Sequence, residues 1–336
     1  MLTDLPSALP TDPDLVEGGA LKLQEWGLIR VSGVDARAFL HSQLTQDIQS
    51  LPASAARLAG FCSAKGRLLA SFVAWAEGAQ DVLLACSADL LPQAIKRLSM
   101  FVLRARCRLL DARPEWGLFG VSGQAVSKLA PDVTSLPDWG LVRPALPDPA
   151  EGTAPGAATL AIKLPPALID GRVIPRALWV QAADRPAPID RTLDASVWNA
   201  LEACSGVPRI VAATVDQFVP QMVNLEALGG VSFSKGCYPG QEVVARSQYR
   251  GTLKRRAHVV ECASPLAPGA GVFHVADPGQ PAGMVVNAGT LAAGRHLALV
   301  ELKLALASTP GLFADAGMSL PLHRHELPYT LPVDAA

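Results

Sequence analysis

The spacing of hydrophobic and polar positions changes several times along the first third of the chain, and each change predicts a new element. Apolar runs that fill both faces are typical of buried strands, whereas apolar residues three and four apart, such as Phe39, Leu40 and Leu44, predict a helix. The turn Ala64-Lys65-Gly66 between two apolar runs predicts a hairpin. The predicted order is strand 26–31, a helix from Asp35, strands 58–62, 67–75 and 82–86, helix 90–101 and strand 107–110. This β-α-β-β-β-α-β order indicates an α+β unit.

The same reasoning divides the rest of the chain into two further units. The middle predicts strand 116–121, helix 124–129, a Pro/Gly/Ala-rich surface loop over 144–158, strand 178–181 and helix 192–203, a diverged half-copy of the first unit. After Arg256, β-type runs at 258–262, 271–275, 283–286 and 297–304 predict a small barrel or sandwich. The predicted organisation is a loosely ordered N-terminus over 1–20, α+β domains over 21–111 and 112–250, and a β domain over 251–336.

Composition bounds the class of protein without identifying its function. The chain has 336 residues, 50% hydrophobic and 18% charged, so it can bury a large core. With a formal net charge of -1, the overall charge of the chain does not favour binding to nucleic acid or to an anionic membrane. The six cysteines form no CxxC pair and no zinc-ligand spacing, so no metal site is predicted. Because secretory, mitochondrial and membrane-spanning patterns are absent from the sequence, we expect a cytoplasmic protein with reduced cysteines.

The densest chemistry lies in residues 233–242, with the sequence FSKGCYPGQE. Pro239-Gly240 predicts a turn, after which Gln241-Glu242 opens the next element. Cys237 stands two residues after Lys235, and a cation near a thiol favours the thiolate, which is the reactive form. The alternative interpretation is that Cys237 is a small buried hydrophobic residue.

Two other groups of residues each allow two interpretations. Trp26 and Trp198 fall at or just before an element in their halves of the α+β region, so they either flank a flat heteroaromatic ring or anchor the core. Arg246, Arg250 and Lys254-Arg255-Arg256 form a local basic run that either steers a polyanion or is a solvated face. The sequence has no Walker loop, no GxGxxG after a strand and no nucleophile elbow, so those routes to nucleotide binding and hydrolysis are not supported.

Several stretches resemble one known family. The most specific is KGCYPGQE at 235–242, which follows QFVPQMVNLE at 217–226 and GGVSF at 229–233 and precedes VVAR at 243–246. Upstream stretches at 26–33, 39–47 and 65–67, and LPY at 327–329, add to the match. Together they resemble the YgfZ family of folate-binding proteins, which is related to the T-protein (aminomethyltransferase) of the glycine cleavage system. The resemblance covers most of the chain apart from about 112–190.

The resemblance implies an architecture and a ligand. It implies two α+β domains and a C-terminal β-barrel arranged as a ring around a central channel, with tetrahydrofolate or a one-carbon derivative in the channel. It places folate-binding residues in the first two domains and a functional thiol at Cys237, with Lys235 beside it. The implied folate-binding residues are Trp26, Trp198, Glu202, Asn224, Gln241 and Glu242.

Two departures from the T-protein pattern change the expected chemistry. Ala70 and Ser71 stand where the T-protein carries aspartates, and neither can act as a carboxylate base or stabilise a developing cation. Glycine cleavage is therefore not expected. The acid that relatives place before an Ala-Gly-Ile-Pro-like segment falls on Cys204, with Glu202 two positions away. Which residue contacts the donor edge of the pteridine stays open.

Three functions follow as hypotheses. The first is a tetrahydrofolate-binding accessory factor for iron-sulfur cluster assembly or repair, which supports tRNA modification indirectly and is not a classical enzyme. In it, the Cys237 thiol transiently holds cluster iron, is protected by folate, or undergoes redox chemistry. The second is a folate-dependent one-carbon transferase, and the missing carboxylates argue against it. The third is direct tRNA binding through the basic run, against which the near-neutral charge weighs.

Overall fold

The computed structural model describes residues 13–144, 159–249, 253–291, 294–307 and 309–332. Its first unit is an antiparallel five-stranded sheet with the order β3-β4-β5-β2-β6. The elements are β2 (Trp26–Ser32), α2 (Ala36–Gln43), β3 (Arg57–Cys62), β4 (Leu68–Glu77), β5 (Asp81–Ser87), a 3₁₀ turn (Ala88–Leu90), α3 (Leu91–Ser99) and β6 (Arg108–Asp111). The predicted order and type of these elements are confirmed, although α2 ends before Leu44 and Ile48.

The second unit is a five-stranded sheet with the order β1-β7-β10-β9-β8. Its first strand comes from residues before the first unit, so the N-terminal segment pairs with the second sheet. The elements are α1 (Pro13–Val16), β1 (Gly19–Lys22), β7 (Trp116–Ser122), α4 (Gln124–Leu129), α5 (Pro131–Thr134), β8 (Leu141–Val142), β9 (Leu160–Ile169), β10 (Arg172–Ala182) and α6 (Ala195–Cys204).

Two parts of this unit differ from the sequence prediction. Residues 13–16 and 19–22 form a short helix and a paired strand, whereas a loose segment was predicted over 1–20; residues 1–12 lie outside the described residues. Strand β9 was not predicted, because Pro165 and Pro166 interrupt its apolar run and proline is rare inside strands. The sheet accommodates them with a register shift between β9 and β10, where Pro165 and Pro166 lie opposite the single residue between Ile174 and Arg176. Most of the loop predicted over 144–158 lies outside the described residues.

The third unit is a six-stranded sheet that curls into a nearly closed barrel. Its strand order is β15-β12-β13-β14-β11-β16, which confirms the predicted C-terminal β architecture. The elements are two 3₁₀ turns (Ala212–Thr214 and Pro220–Val223), α7 (Gln241–Tyr249), β11 (Arg255–Cys262), β12 (Gly271–His274), β13 (Gly283–Leu291), β14 (Arg295–Lys303), α8 (Leu304–Ala307), β15 (Leu312–Phe313) and β16 (His323–His325). Residues 250–252, where the domain boundary was predicted, lie outside the described residues.

Helix α6 joins the second unit to the barrel through direct backbone contact. A Cβ atom added at Gly289 of β13 would lie 2.0 Å from the backbone nitrogen of Ala200, so only glycine allows this approach. One hydrophobic core continues through all three units, from Leu28 through Leu178 to Val259. Among the described residues, no helix is both long and apolar enough to cross a membrane.

Candidate ligand cavity and thiol segment

A cavity of about 460 Å³ lies where the three units meet. This volume is within the usual range for small-molecule sites. Charged and polar side chains from all three units line it, together with a few apolar ones. The lining residues are Glu25, Ser87, Ala88 and Asp89 from the first unit, Asn199, Glu202, Arg209 and Val211 from α6 and the segment that follows it, and Pro268, Asn287 and Ala288 from the barrel.

A largely buried ion pair forms part of the cavity wall. Arg209 Nε donates to Glu202 Oε2 at 3.2 Å, and the two side chains are only 12% and 7% exposed. Arg209 also donates through Nη1 to Ser87 Oγ at 3.3 Å. Its backbone N–H donates to Asn287 Oδ1 at 3.1 Å, which ties this segment to the barrel. Because these partners hold the guanidinium in place, Glu202 presents its carboxylate to the cavity in a fixed orientation.

The two predicted tryptophans occupy different environments. Trp26 is 8% exposed, and the Arg209 guanidinium carbon lies 5.8 Å from the centre of its ring system, so Trp26 supports the cavity wall. Trp198 is 1% exposed and packs against Gly120, with Arg176 5.2 Å from its ring centre. Trp198 therefore occupies a core position in this structure, and its predicted contact with folate stays a prediction.

The positions that depart from the T-protein pattern are buried. Ala70 and Ser71 are 1% and 5% exposed, and Ser71 Oγ accepts the backbone N–H of Ile210 at 3.0 Å. Cys204 is also buried, and burial raises its pKa to about 12. Of the two residues left open by the sequence, Glu202 borders the cavity, whereas Cys204 belongs to the core.

The other predicted folate-binding residues lie on separate features. Asn224 is fully buried, and its Nδ2 donates to the Ala257 carbonyl at 2.9 Å and to Tyr329 Oη at 3.3 Å. Asn224 thus links the segment between α6 and β11 to the barrel and the tail. Gln241 and Glu242 open helix α7, as predicted. Glu242 lines a different, open cavity with Ala245, Arg246 and Tyr249.

The thiol segment, residues 235–238, lies against the end of helix α2. Cys237 is exposed, so the interpretation of this residue as a buried hydrophobic residue is wrong. Lys235 Nζ donates to the backbone carbonyls of His41 and Leu44, the latter at 2.8 Å, and lies 4.7 Å from the Tyr238 ring centre. The ammonium predicted to activate the thiol is therefore largely used to attach the segment to the first unit.

The basic run does not form one open cationic surface. Arg256 is 4% exposed and pairs with Glu226, while Arg255 pairs with Glu301 at 2.8 Å. Arg250 lies outside the described residues. Within the described ranges, no group of three or more His, Cys, Asp or Glu side chains is arranged to hold a metal ion.

Sequence reasoning missed Arg209 and Asn287, which organise the cavity. Arg209 directly follows the Gly-Val-Pro segment at 206–208, which ends α6, and a lone arginine after proline carries little signal. Its partners Ser87 and Asn287 lie 122 and 78 residues away along the chain, so their convergence emerges only from the tertiary structure.

Comparison with known proteins agrees with this architecture. No family model matches the chain. The glycine cleavage aminomethyltransferase T from Bartonella henselae matches 93% of this chain and 86% of its own, with a TM-score of 0.64 at 14% identity, which indicates a shared fold. Among curated relatives, the tRNA-modifying protein YgfZ of Serratia proteamaculans is 31% identical over 93% of this chain and 92% of its own length. The Edwardsiella ictaluri protein of the same name is 35% identical over 70% of this chain. The chain therefore belongs to the family of the tRNA-modifying protein YgfZ.

Proposed function

We propose that this protein is a cytoplasmic, tetrahydrofolate-binding accessory factor for iron-sulfur cluster assembly or repair, and that it supports tRNA modification indirectly. The proposal of tetrahydrofolate binding rests on the cavity at the junction of the three units, where the Glu202 carboxylate is held in the wall. The iron-sulfur part rests on the family resemblance and on the exposed thiol of Cys237.

The residues of the cavity fit a reduced pterin. A pteridine presents an amino group and a ring N–H side by side, and a carboxylate accepts from such a donor edge. Glu202 supplies that acceptor, and Arg209 orients it while covering the Trp26 ring. Bound tetrahydrofolate would supply a carrier for one-carbon groups. The chain's own contribution is to hold and shield the pterin, because Ala70 and Ser71 supply no carboxylate for transfer chemistry.

An anaerobic calorimetric titration with tetrahydrofolate tests this binding site through two independent changes. Glu202→Gln removes the charged acceptor, and we expect affinity to fall about tenfold or more, as for a lost charge-assisted hydrogen bond. Ala288→Phe keeps the ion pair but fills the cavity, and should abolish saturable binding. Asp184→Asn, at an exposed turn, is the matched control and should bind like wild type.

Thermal unfolding of each variant separates lost binding from lost folding. Absence of binding by folded wild type, or unchanged binding by Ala288→Phe, would contradict the proposed site.

The accessory role is tested separately in cells that lack the protein. Cys237→Ser should fail to restore the activity of a [4Fe-4S] enzyme. Turnover of 5,10-methylene-tetrahydrofolate by the pure protein would instead favour a one-carbon transferase.

A further inference from the structure

Lys235 is largely engaged by groups other than the Cys237 thiol. Its ammonium donates to two backbone carbonyls and lies over the Tyr238 ring, which accounts for most of its hydrogen-bonding capacity. Burial lowers the pKa of Lys235 to about 8, although the charges of Asp47 and Cys237 act in the opposite direction.

A histidine at the end of α2 is a candidate base for the thiol. His41 Nδ1 lies 2.9 Å from Asp47 Oδ1. The Gln49 amide also points at Nδ1, at 3.4 Å, but the shorter contact with the carboxylate favours the tautomer that carries the proton on Nδ1. Nε2 is then the basic nitrogen, and a neighbouring carboxylate stabilises the imidazolium that forms when Nε2 gains a proton.

The carboxylate of this pair stays ionised. Burial alone would raise the pKa of Asp47, but hydrogen bonds from Ser50 and His41 outweigh it and lower the pKa to about 2. Arg57 Nη1 lies 3.7 Å from Asp47 Oδ2 and adds a positive charge. The charged and titratable groups around the imidazole and the thiol are thus Asp47, Arg57, Lys235 and Tyr238.

The basic nitrogen faces the thiol segment. A Cβ atom added at Gly236 would lie 3.9 Å from His41 Nε2, so the imidazole approaches the backbone one residue before Cys237. The Lys235 anchor fixes this approach, because Nζ donates to the carbonyl of His41 itself. Cys237 is the next residue in the chain, and its exposed side chain is open to an incoming reactant.

We propose that Cys237 and His41 form a thiol–imidazole pair oriented by Asp47. His41 Nε2 takes the Sγ proton, the electron pair stays on sulfur, and the resulting thiolate is a nucleophile for electrophiles that can reach an exposed side chain. Lys235 is the positioning residue that holds the segment against α2. This deepens the proposed function, because it assigns how its functional thiol is activated.

The test is the rate at which iodoacetamide alkylates Cys237, resolved by peptide mass spectrometry between pH 5 and 9.5. His41→Gln should slow alkylation of Cys237 at pH 7 about tenfold, because the thiol then lacks a general base. Asp47→Asn should slow it less. His323→Gln, on the barrel surface, is the matched control.

Each outcome decides the assignment. Cys107, which is partly exposed, serves as an internal reference whose rate should not change in His41→Gln. Unchanged Cys237 kinetics in His41→Gln, with slower alkylation in Lys235→Met, would show that the lysine alone activates the thiol. Because iodoacetamide needs no folate, a negative result here leaves the cavity proposal standing, and loss of folate binding leaves this one standing.

Discussion

The two α+β units begin from nearly the same sequence and use it differently. Residues 25–33 read EWGLIRVSG and residues 115–123 read EWGLFGVSG, identical at seven of nine positions. Both form an inner strand that begins at a buried tryptophan, Trp26 in β2 and Trp116 in β7. The repeat shows that the counterpart of Trp26 is Trp116, whereas Trp198 belongs to a helix that packs across the second copy.

Of the two positions that differ between the copies, one is Arg30 and its counterpart Gly120. Arg30 reaches out to Asp81 and Glu115. A Cβ atom at Gly120 would lie 2.7 Å from ring atoms of Trp198, so the glycine provides the space in which α6 docks. The same helix carries Glu202 one turn further on, where it borders the cavity. The second copy thus places the cavity carboxylate, and the first copy supplies the wall behind Arg209.

The largest expected effect comes from closing that space. Gly120→Val would place a branched side chain into the Trp198 ring, and we expect a loss of about 3 kcal/mol or more in the free energy of unfolding. Arg30→Val makes the same residue at the equivalent position of the first copy. It should cost below about 1 kcal/mol, because only partly exposed ion pairs are lost. Equal losses in urea unfolding would mean that the two positions do not differ in packing.

A second prediction is that substitutions of the two tryptophans differ in their effects on stability and on folate affinity. Trp198→Phe removes volume from a fully buried position and should cost about 2 kcal/mol in stability. Trp26→Phe also loses packing, but in addition it weakens the contact with Arg209, worth about 1 kcal/mol. We expect its affinity for tetrahydrofolate to fall about fivefold. Calorimetry and thermal unfolding on both variants give the comparison, and a larger affinity loss in folded Trp198→Phe would reverse it.

The sequence predicted most elements because the signal for them is local. Apolar runs and helical spacing identify β2 to β6 and the barrel strands β11 to β14, whereas β15 and β16 were not predicted and the prolines at 165 and 166 concealed β9. The site was less predictable, because its geometry depends on contacts between distant segments. The sequence singled out Cys237 and Lys235, but that Lys235 bonds to a carbonyl 194 residues away follows only from the tertiary structure. The EWGL repeat at 25–28 and 115–118 is a local signal for the predicted half-copy.

The smallest effect concerns the first residue of each copy. Glu25 lines the cavity and lies 3.6 Å from Arg209 Nη2. Its counterpart Glu115 accepts from Arg30 Nη1 at 2.6 Å and so joins the two units. Glu25→Gln should weaken tetrahydrofolate binding about twofold to threefold with little change in stability, because Glu25 is 68% exposed. Glu115→Gln should leave binding unchanged and lower stability by about 0.5 kcal/mol, a loss that disappears in 1 M salt.

A double-mutant cycle with Arg30→Met assigns the effect of Glu115→Gln to the ion pair rather than to the side chain alone. If both glutamates altered folate binding equally, the cavity would extend to the junction between the two copies, and their roles would not have diverged. If only Glu115→Gln changed folate affinity, the ligand would lie beside Glu115 of the second copy and not beside Glu25 of the first. If Glu25→Gln changes only folate affinity and Glu115→Gln changes only stability, the two copies have diverged in function at this position, which faces the cavity in the first copy alone.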